Sequence, residues 1–378
     1  LANITYVRTE RYNVTEAIPR AMEAAEGIFE QITVLGWNRD GVEPPPMPSS
    51  DRATTEYFDS PMPAGGAARA RATASFMRWV TRRLRRSRPE FVQAFDMFAA
   101  LPSGWACARS RAICIYDVRD PFSLSYPFPR FVRPAAHSVD WLTMALSKAF
   151  VVPLEERVAY LGRWAARRPV CVIRNTCHDQ LSELERPPFL TARSASHTIR
   201  IAYLGYVAPS RGASLLLDLC AREDDGAELW SAGTCRSEEL RSRLESTPGS
   251  HWLGLVPRRQ ALGLMREADA VALLYDPAVP VNRIAAPNKF YEALMTGTPV
   301  LVSRGMSLAA TVEAEGLGFA IDYGDPDALR RAVAALRDAD RRRDLRQRCR
   351  DYFLAHCTLG EELERYRAFY RSLLGQVS

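Results

Sequence analysis

The chain is 378 residues long, with 47% hydrophobic and 25% charged residues and a formal net charge of +6. That length predicts two domains or three, and the composition is that of a globular protein, which excludes a disordered or fibrous chain. No apolar run approaches the roughly 20 residues that span a bilayer, and no basic leader opens the chain, so a cytoplasmic protein is expected. The eight cysteines form no C-x-x-C pair and the five histidines no ligand spacing. Reduced thiols are therefore expected, with no zinc site and no disulfide framework.

Ile4 to Val7 predicts a strand, the capping-box pattern Asn13-Val-Thr-Glu16 a helix to about residue 29, and Ile32 to Leu35 a second strand. Strand, helix, strand is the start of a parallel α/β sheet. Arg8 opens the loop at the carboxyl end of strand one, where such sheets bind ligands. A Pro-rich loop over 42–63, including Pro44-Pro-Pro46, leaves room for one short strand near residues 55–58. Gly65-Gly66 then precedes a helix over 67–88 that holds eight arginines and no acid. Phe76, Met77, Val80 and Leu84 share one face of it, and Arg71, Arg78, Arg82, Arg85 and Arg86 the other. Such a helix is either a solvated face over a core or a surface for an anionic membrane. No helix-turn-helix, zinc finger or aromatic-studded sheet motif accompanies it, so no nucleic acid is expected.

The strand over 89–96 closes on Asp96, and the strand over 112–120 closes on Arg119 and Asp120. Strands that end in polar residues are what a site along the carboxyl edge of a sheet requires. The acids could equally cap the loops that follow. A helix over 138–149, a strand at 150–152, a short helix at 155–162 and a strand at 170–173 complete the first half. The polar segment 174–196, with Ser194-Ala-Ser196, reads as a linker.

The second half restarts with Thr198-Ile-Arg-Ile-Ala-Tyr-Leu-Gly205, then Tyr206-Val-Ala-Pro-Ser-Arg-Gly212 and an apolar helix over 213–221. Arg211 and the backbone N–H groups there could cradle a phosphate. Neither the P-loop nor the dinucleotide fingerprint is present. Strands are expected at 228–230, 251–256 and 270–274, with a helix at 259–267. The stretch 286–303 is the densest in instructions. Pro287 suits a first helical turn, Phe290, Ala293 and Leu294 make an apolar face, and Gly297 with Pro299 ends the helix. Val300-Leu-Val302 reads as a strand buried on both faces. Asn288, Lys289 and Glu292 thus come to the positive end of a helix, which attracts phosphate. An ordinary helix–strand joint would look the same. Helices over 326–337, 341–356 and 360–374 close the chain.

Five fragments in order make the chain resemble the GT-B glycosyltransferases, within them the family-4 retaining group. Arg88-Pro-Glu-Phe-Val-Gln-Ala-Phe-Asp96 and Ile115-Tyr-Asp-Val-Arg-Asp120 look like first-domain motifs of that family. Residues 201–212, 251–269 and 286–300 look like second-domain ones. The resemblance implies an α/β fold of two Rossmann-like domains facing each other across a cleft. The domains are placed at 1–185 and 197–359, with helix 360–378 packing back on the first. It implies a nucleoside-diphosphate sugar donor, of UDP or GDP type, bound by the second domain, and a glycan, lipid-linked or small-molecule acceptor bound by the first. Arg211 matches a diphosphate-binding cation, Glu292 a ribose contact, and Val256 a backbone contact to the base. Gly65 and Gly66 match a loop beside the donor phosphates, and Gly205, Gly212, Pro287 and Asn288 belong to the donor motifs. Tyr206 stands where the family has an Arg, Ile284 where it has a first acid, and Arg119 where it has a His. Arg211 and Lys289 are expected to stabilise the leaving phosphate without a metal, and Asp120 to orient the acceptor, with Asp96 or Arg119 nearby. With those three family positions altered, a non-catalytic nucleotide-sugar-binding subunit of a glycosyltransferase complex is the other expectation. An inner-leaflet location would follow from the basic helix.

Overall fold

The parallel sheet that the opening strand–helix–strand predicts is present, and a second one follows it. The computed structural model describes residues 2–11, 16–42, 52–126, 128–190, 198–222 and 226–376. The expected capping residues 13–15, the proline run 44–46 and the linker residues 194–196 lie outside them. The chain divides into two units, Leu1–Arg174 with Gly360–Ser378, and Asn175–Leu359.

The first unit is built on a sheet of β1 (Asn3–Arg8), β2 (Gln31–Asn38), β3 (Ala53–Asp59), β4 (Phe91–Phe95), β5 (Ile113–Asp117), β6 (Ala149–Val152) and β7 (Val170–Val172). All pairings are parallel, in the order β3-β2-β1-β4-β5-β6-β7. The chain moves outward from β1 in one direction to β3, then jumps back beside β1 to lay down β4 to β7. Right-handed crossovers therefore put the helices of the two runs on opposite faces. The switch falls between β1 and β4, and the crevice at the carboxyl ends of those strands is where open α/β sheets bind ligands.

The helices Gly66–Ser87, Met97–Cys107 and Arg133–Leu146 belong to the second run. Phe76, Val80 and Leu84 of the basic helix are buried with Val92, Cys114 and Phe150 of the sheet. The helix Leu359–Leu374 belongs to this unit almost entirely, and Gln93 shows why. Gln93 is fully buried in the middle of β4. Its amide donates to Tyr366 Oη and, at 3.3 Å, to Asp117 Oδ2, while Tyr370 Oη donates to its carbonyl at 2.6 Å. Tyr6 Oη lies 3.2 Å from Tyr370 Oη. A buried amide needs such partners, and the C-terminal helix supplies them.

The second unit is built on β8 (Ile199–Val207), β9 (Ala227–Cys235), β10 (Ser250–Trp252), β11 (Ala270–Leu273), β12 (Val300–Ser303) and β13 (Gly318–Ile321), in the order β10-β9-β8-β11-β12-β13. Its switch point lies between β8 and β11. Residues 175–190 belong here and not to the first unit. Asn175 Nδ2 donates to Ala286 O at 2.7 Å, and Thr176 Oγ1 donates to Cys357 O, so the division falls at 174/175 and not at 185.

Several expected elements shift. The strand expected at 112–120 ends at Asp117, which leaves Arg119 and Asp120 in the loop beyond it. The strand at 251–256 shortens to Ser250–Trp252, so Val256 lies in the connection to the next helix. Pro287 is the N-cap of the helix Asn288–Met295, one position before the first turn where it was expected.

Candidate active site

In the first unit, the switch crevice is lined by the ends of β1 and β4. Thr9 Oγ1 donates to Asp96 Oδ2 at 2.7 Å, joining the two strand ends across it. Asp96 has φ 72°, and its Oδ1 accepts from Ala99 N–H at 3.2 Å, capping the helix Met97–Cys107. A non-glycine residue in that region is costly and is tolerated here because the cap and Thr9 hold it. Burial pushes the Asp96 carboxyl up to about 6, opposed by the Thr9 hydrogen bond and the charge of Arg8. Asp96 therefore caps the following helix while holding the two strand ends together.

Arg8 is buried at the end of β1 and paired with Glu10 at 3.2 Å. Burial works against its charge, Glu10 favours it, and Arg119 opposes it. Asp117, at the end of β5, is buried with its Oδ1 unpartnered, and burial raises its carboxyl against the pull of Arg119 and Arg8. Arg8, Asp96, Asp117 and Arg119 thus form one cluster of mutually sensing charges at the carboxyl edge.

Asp120 is held from beneath. The buried Arg157 donates from Nη2 to Asp120 Oδ1 at 3.1 Å and from Nη1 to Val118 O at 3.3 Å and to Arg119 O. The Asp120 side chain remains 64% exposed. Arg157 fixes the whole 118–120 loop, and no local motif announces it. Gly65 and Gly66 begin the basic helix, exposed, with open space where a Cβ would sit on either.

In the second unit, the site gathers at the carboxyl ends of β8 and β11. Gly205 has φ +108°, and a Cβ there would point at Lys289 Cε, 4.0 Å away. Gly212, with φ +80°, lets the loop pass over Leu274, whose Cβ would stand 2.5 Å from an added methyl. The Arg211 guanidinium stacks on Tyr275, 3.8 Å from the ring centroid. The loop carrying Ile284 is bound to the Arg211 loop through Asn282, whose Nδ2 donates to Asp276 O at 2.9 Å and to Ser210 O at 3.5 Å.

Glu292 is buried on the helix Asn288–Met295, and both its oxygens are engaged. Lys289 Nζ donates to Oε2 at 2.8 Å and Arg258 Nη2 to Oε1 at 3.1 Å. Asn288 and Pro287 lie half-buried at the start of that helix. Arg258 begins the helix Arg258–Glu267, two residues after the half-buried Val256. Arg258 escapes sequence reading because its partner lies 34 residues away. Tyr206 is half exposed, and the Arg236 guanidinium lies 5.8 Å from its ring centroid. A cation therefore stands beside the position where the related pattern has an Arg, supplied by the segment after β9. The structure brings Gly205, Lys289 and Glu292 together and ties Ile284 to the Arg211 loop. Among the described residues, no three His, Cys, Asp or Glu side chains gather as a metal site, and all eight cysteines are buried.

Residues 198–338 match the family model described as Glycosyl transferases group 1. No curated protein sequence matches the chain. Among solved structures, a sucrose-phosphate synthase from Thermosynechococcus elongatus is similar over 100% of both chains, with TM-score 0.79 and 15% identity. HepE of Anabaena, solved with UDP-glucose, is similar over 98% of this chain and 100% of its own, with TM-score 0.71 and 13% identity. WaaG, a glycosyltransferase involved in lipopolysaccharide biosynthesis, covers 97% and 99%, with TM-score 0.68 and 13% identity. The fold is GT-B, two Rossmann-like α/β domains, and the second of them carries the pattern of the group 1 glycosyl transferases.

Proposed function

We propose that this chain is a retaining glycosyltransferase that moves a sugar from a nucleoside-diphosphate sugar to an acceptor hydroxyl. The observation that carries the reading is the cationic carboxyl edge of the second unit. Arg211, Lys289, Arg258 and Arg236 surround a glycine-lined strand end inside the stretch that matches the family. A diphosphate is the ligand such a surface favours. The donor nucleotide is of UDP or GDP type, and the UDP-glucose held by HepE supports the first.

In the proposed reaction the bond from the sugar anomeric carbon to the β-phosphate oxygen breaks as the bond to the acceptor oxygen forms on the same face. The acceptor proton passes to the leaving phosphate, so no protein nucleophile is needed. Arg211 and Lys289 meet the charge that develops on the leaving oxygen, together with the N–H groups of the helix Asn288–Met295. Lys289 exchanges Glu292 for phosphate in this step, and Arg258 keeps the carboxylate compensated. No metal is required, so transfer should persist in a chelator. Val256 lies against the base, and the Ile284 loop selects the sugar. Gly65 and Gly66 give close approach to the donor phosphates.

The first unit binds the acceptor. Asp96, with its raised carboxyl, and Asp120, gripped by Arg157, orient the hydroxyl, and Arg8 and Arg119 accept an anionic acceptor. Glycan, glycolipid or glycosylated natural-product synthesis at the cytoplasmic side of a membrane fits these features. Among the described residues no helix is long and apolar enough to cross one.

The test is a thermal-shift screen of nucleoside diphosphates and their sugars, followed by product NMR with the sugar that shifts the melting temperature. Binding to the folded state alone must raise stability. A shift with one base and an axial or equatorial product matching the donor anomer is expected. No shift with any nucleotide would overturn the reading. Binding with neither transfer nor donor hydrolysis would instead identify a nucleotide-sugar-binding subunit.

A further inference from the structure

The helix Gly66–Ser87 carries most of its arginines on its exposed face. Arg83 pairs with Glu56 at 3.1 Å. Arg71, Arg82, Arg85 and Arg86 meet no acid within ion-pair distance among the described residues, and all four are exposed. A run of unneutralised like charge costs a fold stability by self-repulsion.

The same side of the sheet also exposes large apolar groups. Trp105, on the neighbouring helix Met97–Cys107, is 50% exposed, and Trp141 and Leu142, on the helix Arg133–Leu146, are 49% and 41% exposed. The two features meet in a groove of about 490 Å³, whose walls include Met77, Arg78, Arg82, Arg85, Trp105 and Leu142. Arg85 also borders a second cavity of about 560 Å³ with Arg88 and Arg109. The guanidinium of Arg109 lies 5.8 Å from the Trp105 ring centroid, and that of Arg163 lies 5.1 Å from the Trp141 ring centroid.

We propose that this face of the first unit docks on an anionic lipid bilayer. The arginines lie at the headgroup phosphates, and Trp105, Trp141 and Leu142 enter the interfacial layer. The charge complementarity is to a surface of fixed negative charge, and the apolar component selects a bilayer over a nucleic acid. A duplex would engage the guanidinium groups and leave the tryptophans and Leu142 in water. A bilayer engages both, because indole rings favour the headgroup level and basic side chains favour anionic lipid. The groove is lined by both kinds of group, Met77, Trp105 and Leu142 beside Arg78, Arg82 and Arg85. The proposal stands on the surface of the first unit alone and is independent of the transferase reading.

The experiment is vesicle flotation of the full chain, with phosphatidylcholine vesicles in one arm and phosphatidylcholine–phosphatidylglycerol vesicles in the other. The parent should float only with the anionic vesicles. The variant R78Q/R82Q/R85Q should bind them roughly a hundredfold more weakly, at about fivefold per arginine lost near the surface. Salt should erase the arginine contribution, while the further loss from W105A and W141A should survive it. Indole fluorescence of the parent should shift to the blue on anionic vesicles, and less so in W105F. All these side chains are exposed, and far-UV circular dichroism with a melting curve confirms each variant is folded. Equal binding to neutral vesicles, no binding to anionic ones, or parent-like binding by the triple variant would each overturn the proposal. So would arginine-dependent binding to duplex DNA or RNA without vesicle binding.

Discussion

Lys289 Nζ lies 2.8 Å from Glu292 Oε2, one turn away on the same helix, while Arg258 from another helix takes the second oxygen. One buried carboxylate therefore holds two cations at the carboxyl edge of the second unit. Glu292→Gln leaves both facing a neutral amide. Because Lys289 and Arg258 are 27% and 40% exposed, the loss is smaller than for a sealed pair, about 2 kcal/mol. Added nucleoside diphosphate should restore part of it by supplying negative charge. Thermal melts with and without UDP or GDP measure both effects, and a variant as stable as the parent would disprove the clamp.

Arg211 should matter through charge and through plane. Arg211→Ala is expected to lower transfer about a hundredfold, the scale for losing one fixed donor to a developing oxyanion. Arg211→Lys keeps the charge but not the stack on Tyr275. It should recover only part of the rate, since a flexible ammonium is not held in plane. Steady-state kinetics on the two variants distinguishes them, and equal rates would remove the stacking from the account.

The Asp96 carboxyl is pushed up to about 6 by burial, so the folded chain binds this proton more tightly than the unfolded one. Its contribution to stability is full below the ordinary carboxylate value of about 4 and is lost as pH rises through about 6. The difference between those two values corresponds to about 3 kcal/mol. Asp96→Asn keeps an oxygen for the cap on Ala99 N–H and should flatten that loss. Chemical denaturation from acid to neutral pH checks it, and parallel pH profiles for parent and variant would contradict it. Lowered turnover with an intact fold would place Asp96 at the acceptor.

Two glycines should behave in opposite ways. A Cβ on Gly233 would stand 1.7 Å from Gly205 O, and its φ is +142°, so Gly233→Ala should cost about 3 kcal/mol or more by forcing β8 and β9 apart. Gly65 has extended backbone and open space around it, so Gly65→Ala should leave the melting temperature unchanged. If it binds close to donor phosphate, its loss should appear in KM instead. Melting curves and donor titrations separate the two.

Tyr370→Phe removes the donor to Gln93 and the partner of Tyr6 Oη without changing packing volume. About 1–2 kcal/mol should be lost, because Gln93 keeps a buried carbonyl without its hydrogen bond. Urea denaturation is the measure, and an unchanged midpoint would mean the amide finds another donor.

The strands and most helices were legible because period and punctuation carry them. Val300-Leu-Val302 is apolar throughout, and Pro287, Gly297 and Pro299 bracket the helix before it. The helices Met97–Cys107, Glu238–Ser246 and Leu308–Glu315 were not anticipated. The first is apolar nearly all round, and the other two are short, each marked by a single i, i+4 apolar pair, Leu240 with Leu244 and Leu308 with Val312. The proposed site was legible only where its residues sit in a contiguous motif, as Arg211 and Lys289 do. Arg157, Arg258, Arg236 and Thr9 act on partners brought near by topology, 87 residues away for Thr9 and Asp96. Glu292 was placed correctly on its helix, yet its two cations could not be read from spacing alone.

The Tyr6–Gln93–Tyr370 network joins the first strand, a central strand and the last helix of one unit. That unit is therefore interrupted by an entire second one, which is continuous from residue 175 to 359. During synthesis the continuous unit has all its strands as soon as β13 and the helices after it emerge. The earlier unit carries an exposed glutamine slot in its sheet until the final helix leaves the ribosome. The second unit is thus expected to fold before the first is finished, reversing the order of their appearance in the chain. Truncations that stop short of residue 366 should yield protein that binds nucleotide but is held by chaperones through its unsealed first sheet.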